Sequence, residues 1–152
     1  MKAMFNSLRK ELLAPLVRRP RPLQVAALCW REAEAGREIL LVTSRRSKRW
    51  IIPKGWPIKG QDGAGTALQE AWEEAGVQGK STSEGPIGRY IYDKRDISGV
   101  KLPCEVLVYP IKVRGLDERY PECDQRERTW VPPKTAAQMV TEPSLKAILE
   151  QF

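Results

Sequence analysis

The sequence predicts an α/β fold of the α+β kind, a mixed sheet with helices packed on it, from three observations. Its 152 residues, 41% of them apolar, suit one hydrophobic core. Stretches of strand composition flank and precede helical ones without regular alternation, which argues against a doubly wound parallel sheet. Residues 64–75 read as a helix whose small apolar side lets it lie close against a sheet. Residues 23–152 are expected to form that single domain, with residues 1–22 as a basic N-terminal arm.

The elements follow in order. Leu8, Leu12, Leu13 and Leu16 fall at near-helical spacing, and the run from Val17 to Pro22 is basic and interrupted by two prolines, so the helix cannot continue. A surface helix and tether is the expected reading, ahead of a nucleic-acid arm. Leu23 to Trp30 and Ile39 to Thr43 read as strands joined by an acidic turn, and Trp50-Ile51-Ile52 as a third. Pro53 to Gly65 is rich in glycine and proline and predicts a long irregular loop before the helix. Ile87 to Tyr92 and Glu105 to Val113 predict strands around a polar turn at Asp93 to Gly99, and Arg128 to Val131 a short last strand. Thr141-Glu142-Pro143 predicts a helix start, with a capping hydroxyl and a first-turn proline, leading into Ser144 to Gln151.

Composition narrows the chemistry. Lys and Arg outnumber Asp and Glu by 26 to 19, a formal charge of +7 that favours anionic partners. Cys29, Cys104 and Cys123 are far apart and odd in number, which predicts free thiols in a reducing compartment. Histidine is absent, which removes the usual general base, the Ser-His and Cys-His couples and most zinc sites. Any acid–base or metal chemistry must then rest on carboxylates. No apolar run approaches the roughly 20 residues of a membrane span, and no secretory-type segment follows Met1, so a cytoplasmic protein without a membrane partner is expected.

The segment Gly60 to Gly79 inverts the overall charge, holding Asp62, Glu70, Glu73 and Glu74 but no Lys or Arg. On a helix, Glu70, Glu73 and Glu74 stand at i, i+3 and i+4 and share a face, with Ala64, Ala67, Leu68, Ala71 and Ala75 opposite. Like charges at this spacing repel by a few tenths of a kcal/mol per pair, about the size of a favourable i,i+4 contact, and no basic residue within a turn offsets them. Hard divalent cations meet that need with oxygen ligands alone. A solvated acidic face is the bland alternative, weakened by the preceding loop, which brings glycines, backbone carbonyls, Lys54 and Lys59 beside the glutamates. Asp62 is placed to cap the helix.

From Gly55 to Val77 the chain resembles the Nudix family, whose signature runs Gly, five residues, Glu, seven residues, then Arg-Glu-U-x-Glu-Glu-x-Gly-U with U a bulky aliphatic. Here the frame closes on Glu70-Ala71-Trp72-Glu73-Glu74-Ala75-Gly76-Val77 with its spacing intact. Gln61 and Gln69 stand where the family has a bracing glutamate and arginine, and Ala71 is small; the two glutamines are expected to substitute an amide–amide hydrogen bond. The resemblance implies an α/β/α sandwich with a mixed sheet and a loop-helix-loop catalytic motif. It also implies Mg2+, with Mn2+ as a substitute, held by Gly55, Glu70, Glu73 and Glu74. Glu70, Glu73 and Glu74 would be catalytic, Glu70 completing the metal site or deprotonating the attacking water. An extra acid from a later loop is expected among Asp124, Glu122 and Glu127, in that order.

Arg45, Arg46, Lys48 and Arg49, with Lys54 and Lys59, put cations beside the proposed metals, and Arg89 is a weaker candidate. The run into Trp50-Ile51-Ile52-Pro53-Lys54-Gly55-Trp56-Pro57 looks like the family branch of diphosphoinositol polyphosphate and diadenosine polyphosphate hydrolases. Hydrolysis of a phosphoanhydride bond in a small anionic substrate is the implied function. The tryptophans are expected to pack, with Trp56 the one placed to touch substrate. A catalytically inactive Nudix-fold module binding RNA, nucleotide or protein is the alternative, and a basic nucleic-acid binder a further rival that would bind in a salt-sensitive way. A monomer or homodimer is expected.

Overall fold

A computed structural model describes residues 21–95 and 97–152 of the protein. The expected arm helix, and the basic stretch as far as residue 20, lie outside the described residues. The chain forms β1 (Leu23–Ala33), β2 (Gly36–Thr43), β3 (Trp50–Ile51), β4 (Lys54–Gly55), α1 (Gly63–Ala75), β5 (Val77–Ser81), β6 (Gly88–Arg95), β7 (Lys101–Leu116), β8 (Arg128–Val131), α2 (Pro133–Met139) and α3 (Pro143–Gln151).

The sheet is mixed, as expected. Its main path is β3-β2-β1-β7-β5, with β4 paired to β1, β6 to β7 and β8 to β2. The β1–β7 pair is parallel, in register from Leu23↔Glu105 to Trp30↔Lys112, and the other pairs are antiparallel. A strand covered on both faces can be apolar throughout rather than alternating, and β1 is such a strand. Val25, Ala27 and Cys29 meet α1 through Ala67, Ala71 and Ala75. Ala26, Leu28 and Trp30 meet α2 and α3 through Ala136, Ala137, Leu145 and Leu149. Helix α1 on one face, and α2 with α3 on the other, make the three-layered sandwich.

Several boundaries differ from the sequence reading. β1 continues to Ala33 and turns at Glu34-Ala35. β7 runs the full length from Lys101 to Leu116, because β1, β5 and β6 all pair along it. β5 holds one apolar residue, Val77, and a glycine at its centre, so it carries no apolar run; pairing with β7 makes it a strand. The loop from Pro53 is interrupted at β4, where Gly55 and Lys54 pair with Val25 and Ala26 and Ala27 N donates to Pro53 O at 2.8 Å. Pro143 does open α3, but the residue flanking it is Glu142, and the Thr141 hydroxyl accepts from Arg49 Nη1 at 3.0 Å instead of capping the helix. All three cysteines are free thiols, and burial pushes that of Cys29 far up. No helix among the described residues is long and apolar enough to cross a membrane.

Candidate active site

The candidate site forms where the β4 backbone meets the middle and last turns of α1. Asp62 caps the helix, its Oδ1 accepting from Gly65 N at 2.7 Å, and Ile58 N donates to Thr66 Oγ1 at 3.2 Å, tying the connecting loop down. The alanine face of α1 is fully buried against β1, which sets the helix close to the sheet. This proximity brings Gly55 against Glu70: a methyl group there would displace the Glu70 carboxylate from its position. The next position back, Lys54, donates its backbone N–H to Glu74 Oε2 at 3.2 Å.

The three glutamates have different surroundings. Glu74 is 6% exposed and Glu70 half-buried. Burial, then the neighbouring Glu73 and Glu122 charges, push the Glu70 carboxyl up to about 7. Burial also raises Glu74, with Arg126 and Lys54 working against the rise. Glu73 accepts from Gln69 Nε2 at 2.8 Å, so Gln69 braces a glutamate of its own helix rather than forming the expected amide pair with Gln61.

No basic residue within a turn offsets the helix acids, and a protein counter-charge comes instead from a distant segment. Arg126 reaches in from the loop between β7 and β8, its Nη2 3.3 Å from Glu74 Oε1 and 3.2 Å from Glu122 Oε1. Its Nη1 donates to Thr43 O at 3.0 Å, and its side chain is 6% exposed. A lone arginine in a loop carries no motif; its only trace in the sequence is the i+4 spacing from Glu122. Of the three later acids, Glu122 is the one at the site: its carboxylate meets Arg126 and Arg45, and its backbone N–H donates to Glu73 O at 3.0 Å.

Beside Glu74 opens a cavity of about 540 Å³ walled by Arg45, Arg46, Arg49, Lys54 and Arg126. A second, of about 790 Å³, shares Arg46 and Arg49 and adds Lys94, Arg95 and Lys101 from the β6–β7 hairpin. The expected basic set is thus split. Lys48 and Lys59 do not line the first cavity; Lys48 donates to Gln125 O at 3.2 Å. Arg49 lines it but is held at 2.8 Å by Glu142, and Arg89 pairs with Glu105. Lys54 lies over the Tyr92 ring at 4.7 Å, and burial lowers its ammonium pKa while Glu74 holds it up. Trp30 meets Phe152 edge-on, Trp72 meets Tyr120 at a tilt and Trp130 lies under Arg31, as packing residues do. Trp56 is 48% exposed under Lys94.

A family model for the NUDIX domain matches residues 22–152. The chain belongs to the Nudix family. Human diphosphoinositol polyphosphate phosphohydrolase 3-alpha is 39% identical over 57 residues, which cover 38% of this chain and 35% of the human protein. Arabidopsis thaliana Nudix hydrolase 4 is 29% identical over 115 residues, covering 76% of this chain and 53% of the plant protein. The chain thus spans about a third to a half of the length of these curated relatives. Among solved structures, a C. elegans Ap4A hydrolase binary complex superposes with a TM-score of 0.68 at 20% identity, covering 86% of this chain and 94% of that one. The Shewanella oneidensis NrtR NUDIX domain bound to ADP ribose gives 0.62 at 19%, covering 93% and 94%. These two likenesses establish the Nudix fold.

The Nudix helix supplies oxygen donors only, which is the chemistry a hard divalent cation takes. Burial raises the carboxyls of Glu70 and Glu74, so their ionised forms gain from a nearby cation. As the side chains stand, with Glu73 turned to Gln69 and Glu74 to Arg126, no three acidic or thiol side chains among the described residues close on one point.

Proposed function

We propose that the chain is a divalent-cation-dependent hydrolase that cuts a phosphoanhydride bond in a small, multiply phosphorylated substrate. The observation that carries this reading is the adjacency of buried Glu74 to a cavity walled by five cationic side chains. Acid beside base in one cleft suits a metal–polyphosphate substrate, whose two charges need opposite partners. Glu70, Glu73, Glu74 and the Gly55 carbonyl would hold Mg2+ or Mn2+. Such an ion, when bound, neutralises phosphoryl oxygens and lowers the pKa of a bound water.

The rest is the work of this chain's own groups. Arg45, Arg46 and Lys54 bind and orient phosphate oxygens. Glu70, set against Gly55, either completes the metal site or accepts a proton from the attacking water. Glu122 is the acid from the later loop that adds charge to the site. Residues 23–152 act as one catalytic domain, and residues 1–22 as an arm.

Dinucleoside polyphosphates and inositol pyrophosphates are the proposed substrate classes, supported by the names of the human and C. elegans proteins and by the second basic cavity, which would take a distal phosphate. The test is phosphate release with Mg2+ from a panel that also includes nucleoside triphosphates and nucleotide sugars. Glu74→Gln is expected to abolish release while the protein stays folded. A second reading, a non-catalytic binding module, draws on Arg126 already neutralising Glu74. It prevails if wild type binds the panel and hydrolyses none of it.

A further inference from the structure

We propose that Arg126 is a built-in counter-ion that competes with a divalent cation for Glu74, so that loading the site displaces the guanidinium toward the adjoining anion cavity. This rests on the reading that Glu74 takes a cation. One guanidinium nitrogen stands between the carboxylates of Glu74 and Glu122, at 3.3 and 3.2 Å. Those contacts are longer than the roughly 2.7–2.9 Å of a well-formed charge-assisted hydrogen bond. Arg126 Nε is buried with no hydrogen-bond partner, a cost that a side chain optimised for permanent structural pairing would avoid. Apart from the Thr43 carbonyl, which accepts from Nη1 at 3.0 Å, the partners of the guanidinium are the two carboxylates, so a cation that takes Glu74 removes part of what holds it.

Two positive species cannot both sit on Glu74 Oε1 without strong repulsion in a poorly solvated site. When a divalent ion takes the oxygen, Arg126 has somewhere to go, because it also lines the cavity with Arg45 and Arg46. There it meets phosphate instead of carboxylate. The loop that carries it is fastened to α1 through Glu122 N and Glu73 O, and to Lys48 through Gln125 O, so the exchange also bears on the backbone around Glu122.

The sign of the effect separates this from an ordinary structural ion pair. A structural arginine, once removed, loosens the acids and weakens cation binding. A competing one, once removed, strengthens it. Free Mn2+ measured by electron paramagnetic resonance during titration, without substrate, is expected to reveal binding about tenfold tighter or more in Arg126→Met than in wild type. Adding Glu74→Gln to Arg126→Met is expected to erase the gain. Melting curves confirm folding, and Mn2+ is expected to raise the variant's Tm more than that of wild type.

Equal or weaker Mn2+ binding by folded Arg126→Met overturns the proposal, as does an absence of Mn2+ binding in every variant. Should Arg126→Met not fold, Arg126→Gln, which keeps an N–H donor but carries no charge, is expected to bind Mn2+ several-fold tighter than wild type, and equal affinity overturns the proposal. Tighter Mn2+ binding without phosphate release from any substrate would sink hydrolysis while leaving the counter-ion exchange standing.

Discussion

Glu70 and Glu74 carry adjacent places in one motif, yet their surroundings give them different work. Glu74 is pinned by a backbone N–H and a guanidinium, whereas Glu70 lies against Gly55 with its proton held up to about 7. A carboxyl raised in the folded state keeps its proton after the unfolded chain has lost its own. The Glu70 contribution therefore favours folding at low pH and is lost as pH rises from the ordinary 4.5 to about 7. Cation binding has the opposite slope, because it needs the ionised form. Mn2+ affinity is expected to climb between about pH 6 and about pH 8 in wild type and to climb less in Glu70→Gln; parallel slopes in the two titrations would remove Glu70 from the site. At this scale the shared face of the three glutamates was legible from helical periodicity, which puts i, i+3 and i+4 together, and Gly55 only from the family resemblance. Arg126 was not, because its approach depends on how a remote loop folds back.

The turn from α1 into β5 is the joint that sets the site's helix against the sheet. Gly76 ends the helix in the left-handed region at φ 67°, its N–H donating to Trp72 O at 2.9 Å, and Arg128 Nη1 closes the helix end by donating to Ala75 O and Asp117 O. A methyl group on Gly76 would meet the Tyr120 ring at 2.5 Å and the Asp117 carbonyl oxygen at 2.7 Å. Backbone strain and steric conflict together predict a loss of about 1–3 kcal/mol for Gly76→Ala in urea denaturation. Gly85→Ala, with nothing near the added methyl, is expected to stay within about 0.5 kcal/mol. A Gly76→Ala variant as stable as wild type would deny the joint its role. The strands and helices with an apolar stripe or run were readable in sequence. β4 and β5 were not, since two or five polar and glycine-rich residues become strands only by pairing with β1 and β7.

Across the whole molecule the excess of positive charge is partly spent on structure: Arg49, Arg89, Arg126 and Arg128 are committed to carboxylates or carbonyls. Arg45, Arg46 and Lys54 line the same cavity as buried Glu74. Binding through exposed cations weakens as the Debye length falls from about 8 Å at physiological ionic strength to about 3 Å at 1 M. Raising KCl is thus expected to increase KM for a polyphosphate several-fold with kcat nearly unchanged; a KM indifferent to salt would take the basic rim out of binding. The sequence by itself determined the layered α/β class, the acidic face of one helix and the positive net charge, because periodicity, composition and net charge are local or additive properties. Only the tertiary structure decided which cations face the acids, which later acid joins them, and that a guanidinium already stands on Glu74. Those are contacts between segments distant in sequence, and the geometry of the sheet, not the order of residues, brings them within bonding distance.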